Sequence, residues 1–278
     1  VSDHPQISAL CESLITRGLM LSFSSLRADP LSEAVLDALM ASGHKAVAIA
    51  PEAGSERLRR VINKRITSEA VFEAAERLTE KGIVHLKLYF MIGLPTETLD
   101  DLEELVVMVK SIKHRVLSRS RGRKAMGTIT LSINSFVPKP FTPFQWAGFA
   151  GVPTLRDRAR WIQNALRKVP NVKVHFDLPK WAYVQALISR GDRRIADMLE
   201  KVGAERTPWS QAMKQSPHNA DFWVMREREE AEVFPWEIIE TGLKRSFLWQ
   251  EFQRALQGRE SPACPAQGGC TRCGVCLG

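Results

Sequence analysis

An apolar run, AVAIA at residues 46–50, stops at Pro51-Glu52, and a Gly-Ser turn then launches ERLRRVINK, so the stretch reads as strand, turn, helix. The strand carries no polar alternation, which is the pattern of a parallel strand covered on both faces. Ser55 stands where an N-cap hydroxyl accepts from the free amides of the first helical turn. Glu52 is thereby set at the carboxyl end of a strand, beside the amino end of a helix, where α/β folds hold their ligands. A carboxylate there suits an ammonium or a ribose hydroxyl.

The same alternation runs through the first two thirds of the chain. ISALCESLITRG reads as the helix of a βα unit whose strand lies before residue 1, and VSDHPQ has no initiator methionine, so the sequence is expected to be an excised segment. LMLSFSSLR, residues 19–27, reads as a strand, and PLSEAVLDALMASG as a helix closed by Gly43. TSEAVFEAAERLTEKG is a helix capped by Thr67 or Ser68 and stopped at Gly82. Residues 84–92 form the next strand, and GLPTETLDDLEELVVMVKSI is a turn and a long helix, with Pro95 and Thr98 at first-turn and cap positions. TITLSINSFV, residues 128–137, is a further strand. The prolines of PKPFTPFQW then force the chain out of the sheet as a stiff, extended lid or edge. A helix, TLRDRARWIQNALRKV, and a strand at 172–176 complete the series, which argues for a parallel sheet or barrel.

After Pro179 the pattern changes. WAYVQALISRGDRRIADMLEKVG reads as two short helices around SRGDRR, and EEAEVFPWEIIETGLKRSFLWQEFQRAL as a mostly helical end. The tail is Gly-rich with almost no apolar content. Its Cys264, Cys270, Cys273 and Cys276 are spaced C-x5-C-x2-C-x2-C, and a two-residue spacer lets successive thiolates wrap one metal centre. The set suits zinc or an auxiliary iron-sulfur cluster, with the C-x2-C-G-x-C knuckle resembling structural zinc sites. Cys11, alone in a helical pattern, reads as a small buried apolar residue.

Three motifs at successive strand ends, APEAGSERLRRVINK, KLYFMIGLPTETLDD and NSFVPKPFTPFQW, together resemble the radical S-adenosylmethionine (SAM) superfamily. They are closest to the subgroup that often carries a cobalamin-binding domain upstream, as are SRGDRR and DFWVMRERE. The resemblance implies an α/β fold: a partial parallel (β/α)6 barrel over 1–178, a helical extension over 179–258 and a Cys-rich metal-binding tail over 259–278. It implies that SAM lies across the carboxyl ends of the strands, with Glu52 touching it and Lys64 meeting its carboxylate. Ser24, Ser25 and Arg27 would face the same cavity, although Ser24 replaces a residue often acidic in relatives. Met91, Gly93 and Phe136 would border the adenine, and Asn134 and Lys139 would meet substrate.

Enzymes of this superfamily hold a 4Fe-4S cluster on C-x3-C-x2-C, and this sequence contains no such triplet. The four tail cysteines have neither the spacing nor the place for it. The cluster loop and the first two strands are therefore expected upstream, and the segment alone is expected to be inactive. An intact enzyme would cleave SAM to a 5′-deoxyadenosyl radical, drawing electrons from a donor such as flavodoxin or ferredoxin, with methylation or sulfur insertion as outcomes.

Two other readings follow from the residues. The net charge of +8 favours acidic partners, and the basic loop 113–124 with the cysteine knuckle could grip RNA, as substrate or bound partner. Lys87 or Lys139 could instead form an imine, as in a lysine-dependent barrel of aldolase type. No run approaches the length needed to span a bilayer and no signal peptide opens the chain, so a cytoplasmic protein without a membrane partner is expected.

Overall fold

A computed structural model describes residues 4–29, 31–120, 127–265 and 270–276. They fall into two compact units, Val1–Ile92 with Glu97–Asn134 and Asp157–Phe176, and Gly93–Thr96 with Ser135–Arg156 and Asp177–Gly278.

The first unit is an α/β layer. After α1 (Ile7–Thr16) and α2 (Glu33–Ala41) come β1 (Ala46–Glu52), α3 (Glu56–Val61), α4 (Ser68–Glu80), β2 (His85–Ile92), α5 (Leu99–Arg119), β3 (Thr128–Ser135), α6 (Val152–Leu166) and β4 (Val172–Phe176). The strands make one sheet of order β1-β2-β3-β4, with β1 parallel to β2 and β3 parallel to β4. A sequential order without reversal belongs to a stretch of βα barrel, whereas a doubly wound sheet has a switch point. The expected barrel fragment is thus present.

Local chemistry explains the helix starts. Ser32, Ser55 and Thr67 each accept a backbone amide at an N-terminus, and Thr98 with Asp101 forms a capping box that fixes the start of α5. Pro95 lies in the turn ahead of that helix and not in its first turn. The stripes of α4 (Val71, Ala75, Leu78) and α5 (Leu105, Val109, Ile112) share the core with Leu88 and Leu131, all essentially inaccessible. Each large aliphatic residue buried in this way contributes about 1.5–3 kcal/mol.

Three expectations need correction here. Residues 19–27 do not form a regular strand, since only Leu26 bridges to Ile49. The backbone of Leu21 is satisfied by side chains instead, its N–H by Ser42 Oγ at 2.8 Å and its carbonyl by His44 Nε2 at 2.6 Å. β1 is not covered on both faces: Val47 and Ile49 are buried, Ala46 is exposed and Ala48 half-buried. Alanine is apolar on either side, so the sequence hid a period of two that β2 and β3 display openly. The third correction concerns 138–146, which does leave the sheet but ends in a 3-10 turn (Pro143–Trp146) whose Trp146 is inaccessible. It anchors a core and is not a lid.

That core belongs to the second unit, where Trp146, Phe234, Trp236, Leu248 and Phe252 cluster. Its helices are α7 (Pro179–Arg190), α8 (Ala196–Gly203), α9 (Trp209–Gln215), α10 (Asp221–Val224) and α11 (Arg245–Leu256). The stretch before α11 is mostly irregular, contrary to expectation; Pro235 supports only a 3-10 turn, and Gly242 adopts φ +74°. Arg190 is wholly buried and donates to the carbonyls of Trp223 (2.7 Å), Arg226 (2.7 Å) and Ala147. Arg228 returns a bond to the Arg190 carbonyl at 2.6 Å, its guanidinium 5.2 Å from the Phe234 ring centroid and 5.3 Å from that of Trp236. SRGDRR and DFWVMRERE are therefore two halves of one arginine staple. Burial, with Arg228 and Arg226 close by, pulls Arg190 down to about 9.

Candidate functional site

At the carboxyl end of β1 the backbone departs from the regular ladder. The register with β2 shifts between Ile49 and Glu52, and Glu52 sits at φ +68°, a conformation that costs a non-glycine residue about 1–3 kcal/mol. The bulge turns the carboxylate toward the end of α3. There Asn63, at φ +54°, closes the helix by sending its N–H to the Arg60 carbonyl (3.0 Å) while Lys64 N–H reaches that of Arg59 (2.8 Å). The result places Lys64 Nζ 3.2 Å from Glu52 Oε1, with both side chains partly accessible. The two residues singled out by sequence are thus an ion pair.

A saturated network lies directly behind this rim. Arg59, 1% exposed, donates to the carbonyls of Ala53 (2.9 Å), Gly54 (2.8 Å) and Ile66 (2.7 Å) and to Ser68 Oγ (2.6 Å). Asp101, 3% exposed, accepts from Ser55 Oγ (2.5 Å), Arg57 and the Thr98 amide (2.8 Å). Burial pushes its carboxyl up, but the bonds from Arg57, Ser55 and Thr98 together hold it below the usual carboxylate range. Gly54 is required because a Cβ there would lie 2.3 Å from the Leu105 backbone. Glu97, also buried, pairs with Arg158 of α6 at 2.7 Å. Sequence reasoning missed Arg59, Asp101 and Glu97. The Thr98-x-x-Asp101 capping signature could have flagged Asp101, but nothing in the sequence marks Arg59 or Glu97 as buried.

The remaining predicted residues are distributed as follows. Ser24 lines a cleft of about 220 Å³ together with Ser22, Lys87 and Tyr89. Arg27 forms an ion pair with Asp29 at 2.8 Å, and the neighbouring Ser25 is half-buried. Met91 is half-buried on β2 and Asn134 exposed near the end of β3. In the second unit Gly93 takes φ +83°, and a Cβ on it would meet Leu155 at 2.6 Å, which by itself explains the glycine. Phe136 packs edge-on against Phe144, with ring centroids 5.4 Å apart. Lys139 Nζ donates to Ser189 Oγ at 3.0 Å, and burial lowers its ammonium.

Cys11 is buried, and burial raises its thiol. Cys264, Cys270, Cys273 and Cys276 are free thiols, and among the described residues no three His, Cys, Asp or Glu side chains are grouped to hold a metal. The tail is tied down through Lys244, whose N–H meets the Cys273 carbonyl at 2.8 Å and whose Nζ meets that of Thr271 at 2.7 Å. Hydrogen bonds from the backbone and then the side chain of Arg272 draw Cys270 below the usual thiol value. Of the basic loop 113–124, residues 121–124 lie outside the described residues. The rest is not a loop, since α5 continues through Arg119, and there Arg115 is committed to Glu69 and Arg119 to Glu76 and Glu80. No described helix is long and apolar enough to cross a membrane.

A sequentially ordered parallel sheet with a charged pair at the carboxyl end of β1 is the arrangement of a βα-barrel segment. The Radical SAM superfamily model matches residues 2–109 of this chain. The chain is also 34% identical over 200 residues to an uncharacterized protein of Methanocaldococcus jannaschii, an alignment covering 72% of this chain and 41% of that protein. The chain therefore spans about two fifths of the length of the curated relative it matches.

Proposed function

We propose that this chain supplies the SAM-holding part of a radical SAM enzyme, with Glu52 receiving the ammonium and Lys64 the carboxylate of the cofactor's amino-acid moiety. The observation that carries this reading is the Glu52–Lys64 pair, held 3.2 Å apart on a bulged strand end within the stretch matched by the family. An acid and a base of opposite sign, partly accessible and bonded to each other, offer to one zwitterionic ligand the two contacts it needs. The ammonium of Lys64 acts as a point charge and not as a planar fork.

A 4Fe-4S cluster, where a radical SAM enzyme holds one, would supply the electron for cleavage of SAM. This chain has no residue set that fits it, since Cys11 is isolated and buried and the four tail cysteines lack the C-x3-C-x2-C spacing. What these residues do is bind and orient. The substrate, an upstream cobalamin domain and a flavodoxin- or ferredoxin-type donor belong to this proposal, as do methylation and sulfur insertion as outcomes. The tail thiols form a donor set suited to zinc or to an auxiliary cluster. Elemental analysis of anaerobically purified chain should return one metal centre per chain through Cys264, Cys270, Cys273 and Cys276, and a metal-free tail would remove that assignment.

Equilibrium dialysis of the chain with SAM tests the main reading. Glu52→Gln and Lys64→Ala should each weaken binding by about tenfold, the cost of one charged hydrogen bond. Equal affinity in both variants would overturn the assignment.

A further inference from the structure

The sheet of the first unit presents two unlike faces. One is apolar and buried, carrying Val47, Ile49, Leu86, Leu88, Leu131 and Ile133. The other is set by register. Ala48 pairs with Lys87 across β1 and β2, and Thr130 with Lys173 across β3 and β4. His85 Nδ1 meets Thr128 Oγ1 at 2.8 Å, which puts β2 and β3 on the same side, and alternation carries Lys87 and Thr130 to that side two residues later. One rung therefore crosses the sheet as Ala48, Lys87, Thr130, Lys173. The next residue pair on that side, Ser132 and His175, adds a hydroxyl and an imidazole.

No residue of β1 to β4 on this face is an acid. Lys87 and Lys173 are exposed, and neither side chain has a hydrogen bond or ion pair among the described residues; Lys87 Nζ stands over the Tyr89 ring, 5.0 Å from its centroid. Several other cations of this unit are matched, Lys64 with Glu52, Lys81 with Asp37 and Arg115 with Glu69, so that charge is left over where two lysines share one acid-free face. Two inter-strand spacings, with β3 between, separate the two lysine-bearing backbones by about 10 Å, and side chains of this length converge easily across that gap. The alanine of the rung keeps the β1 side shallow, where the cleft with Ser22 and Ser24 opens.

We propose that this rung is an oxyanion site, in which Lys87 and Lys173 clamp a multiply charged group of phosphate or polycarboxylate type while Thr130 and Ser132 donate hydroxyl hydrogen bonds. If the sheet holds SAM at its carboxyl end, the same site defines the substrate as anionic, and only that extension rests on the function proposed above. The anion site itself is independent of it.

The test is a calorimetric titration of the chain with inorganic pyrophosphate and, in parallel, with citrate. Pyrophosphate should bind at a single site, with Lys87→Met and Lys173→Met each weakening it about tenfold, and Lys87→Gln and Lys173→Gln should do the same, guarding against a packing effect of methionine. Lys110→Met, on the solvent face of α5, should change nothing. Binding of citrate with the same dependence would assign a polycarboxylate as well as a phosphate, and binding of pyrophosphate alone would assign phosphate; both support the site. Undetectable pyrophosphate binding, or an equal loss in Lys110→Met, would overturn it. SAM affinity measured on the same variants separates the two proposals, because Glu52→Gln should alter SAM binding and leave pyrophosphate unchanged.

Discussion

Arg59 and Lys64 belong to the same short helix and its cap, yet they live in opposite electrostatic circumstances. Arg59 is inaccessible and spends its donors on three carbonyls and a hydroxyl, so its charge is consumed in holding the loop 53–54 against 66–68. Lys64 is partly accessible and has one carboxylate partner, itself partly accessible. A buried, saturated cation is scaffold, because exchanging any partner would expose a desolvated group. A rim cation with one exchangeable partner suits the role proposed for it, because a ligand carboxylate can replace Glu52 at little cost. Burial and saturation together, more than charge, separate the two roles.

The comparison is broken most forcefully by removing the scaffold. Arg59→Met leaves three buried carbonyls and the Ser68 hydroxyl without their donor, and should cost about 3–5 kcal/mol, read as a lowered midpoint in urea unfolding. A loss comparable to that of a surface variant would mean that Arg59 is not the staple. Asp101→Asn is next, at about 2–3 kcal/mol near neutral pH, since Ser55, Arg57 and Thr98 all donate to the carboxylate. Here pH supplies the sign. The folded-state value is depressed, so the stabilisation is fully present above the unfolded value of about 3.9 and is lost as pH falls through the folded one. Unfolding measured through the acid limb should therefore show a shallower loss in Asp101→Asn than in the parent chain. An identical acid limb would refute the linkage.

The sequence made these elements legible in uneven measure. Periodicity placed β2, β4 and α4 within a residue or two but ended α5 at Ile112, a turn and a half or more before Arg119, and cap chemistry named Ser55, Thr67 and Thr98, because these are local properties of neighbouring residues. Failure came where a partner far along the chain decides the outcome. Residues 19–27 have strand composition, but the side chains of Ser42 and His44 take the backbone groups of Leu21 that a neighbouring strand would have taken. The prolines of 138–146 announced an exit from the sheet, while the burial of Trp146 among Phe234 and Phe252 depends on residues 88 and 106 positions further along. For the candidate site, Glu52 was marked by its place at a strand end beside a helix start, whereas Lys64 came only with the family resemblance, because a lysine just past a helix end is locally unremarkable. Arg59 was not, since a pair of arginines at a helix end is ordinarily solvated.

The smallest effect on stability is also the most informative. Glu52→Gln and Lys64→Ala break an ion pair whose members remain partly in water, and such pairs contribute under about 1 kcal/mol once solvent screening is counted. Melting temperatures of both should stay close to that of the parent chain, in contrast to Arg59→Met. Affinity for SAM should behave in the opposite way, falling in the rim variants by about tenfold because each removes one charged contact to the ligand. Raising the salt concentration should weaken SAM binding in the parent more than in Lys64→Ala, since the screened interaction is the one deleted. A rim variant that loses stability while retaining affinity would reverse the assignment, making Glu52 and Lys64 part of the scaffold.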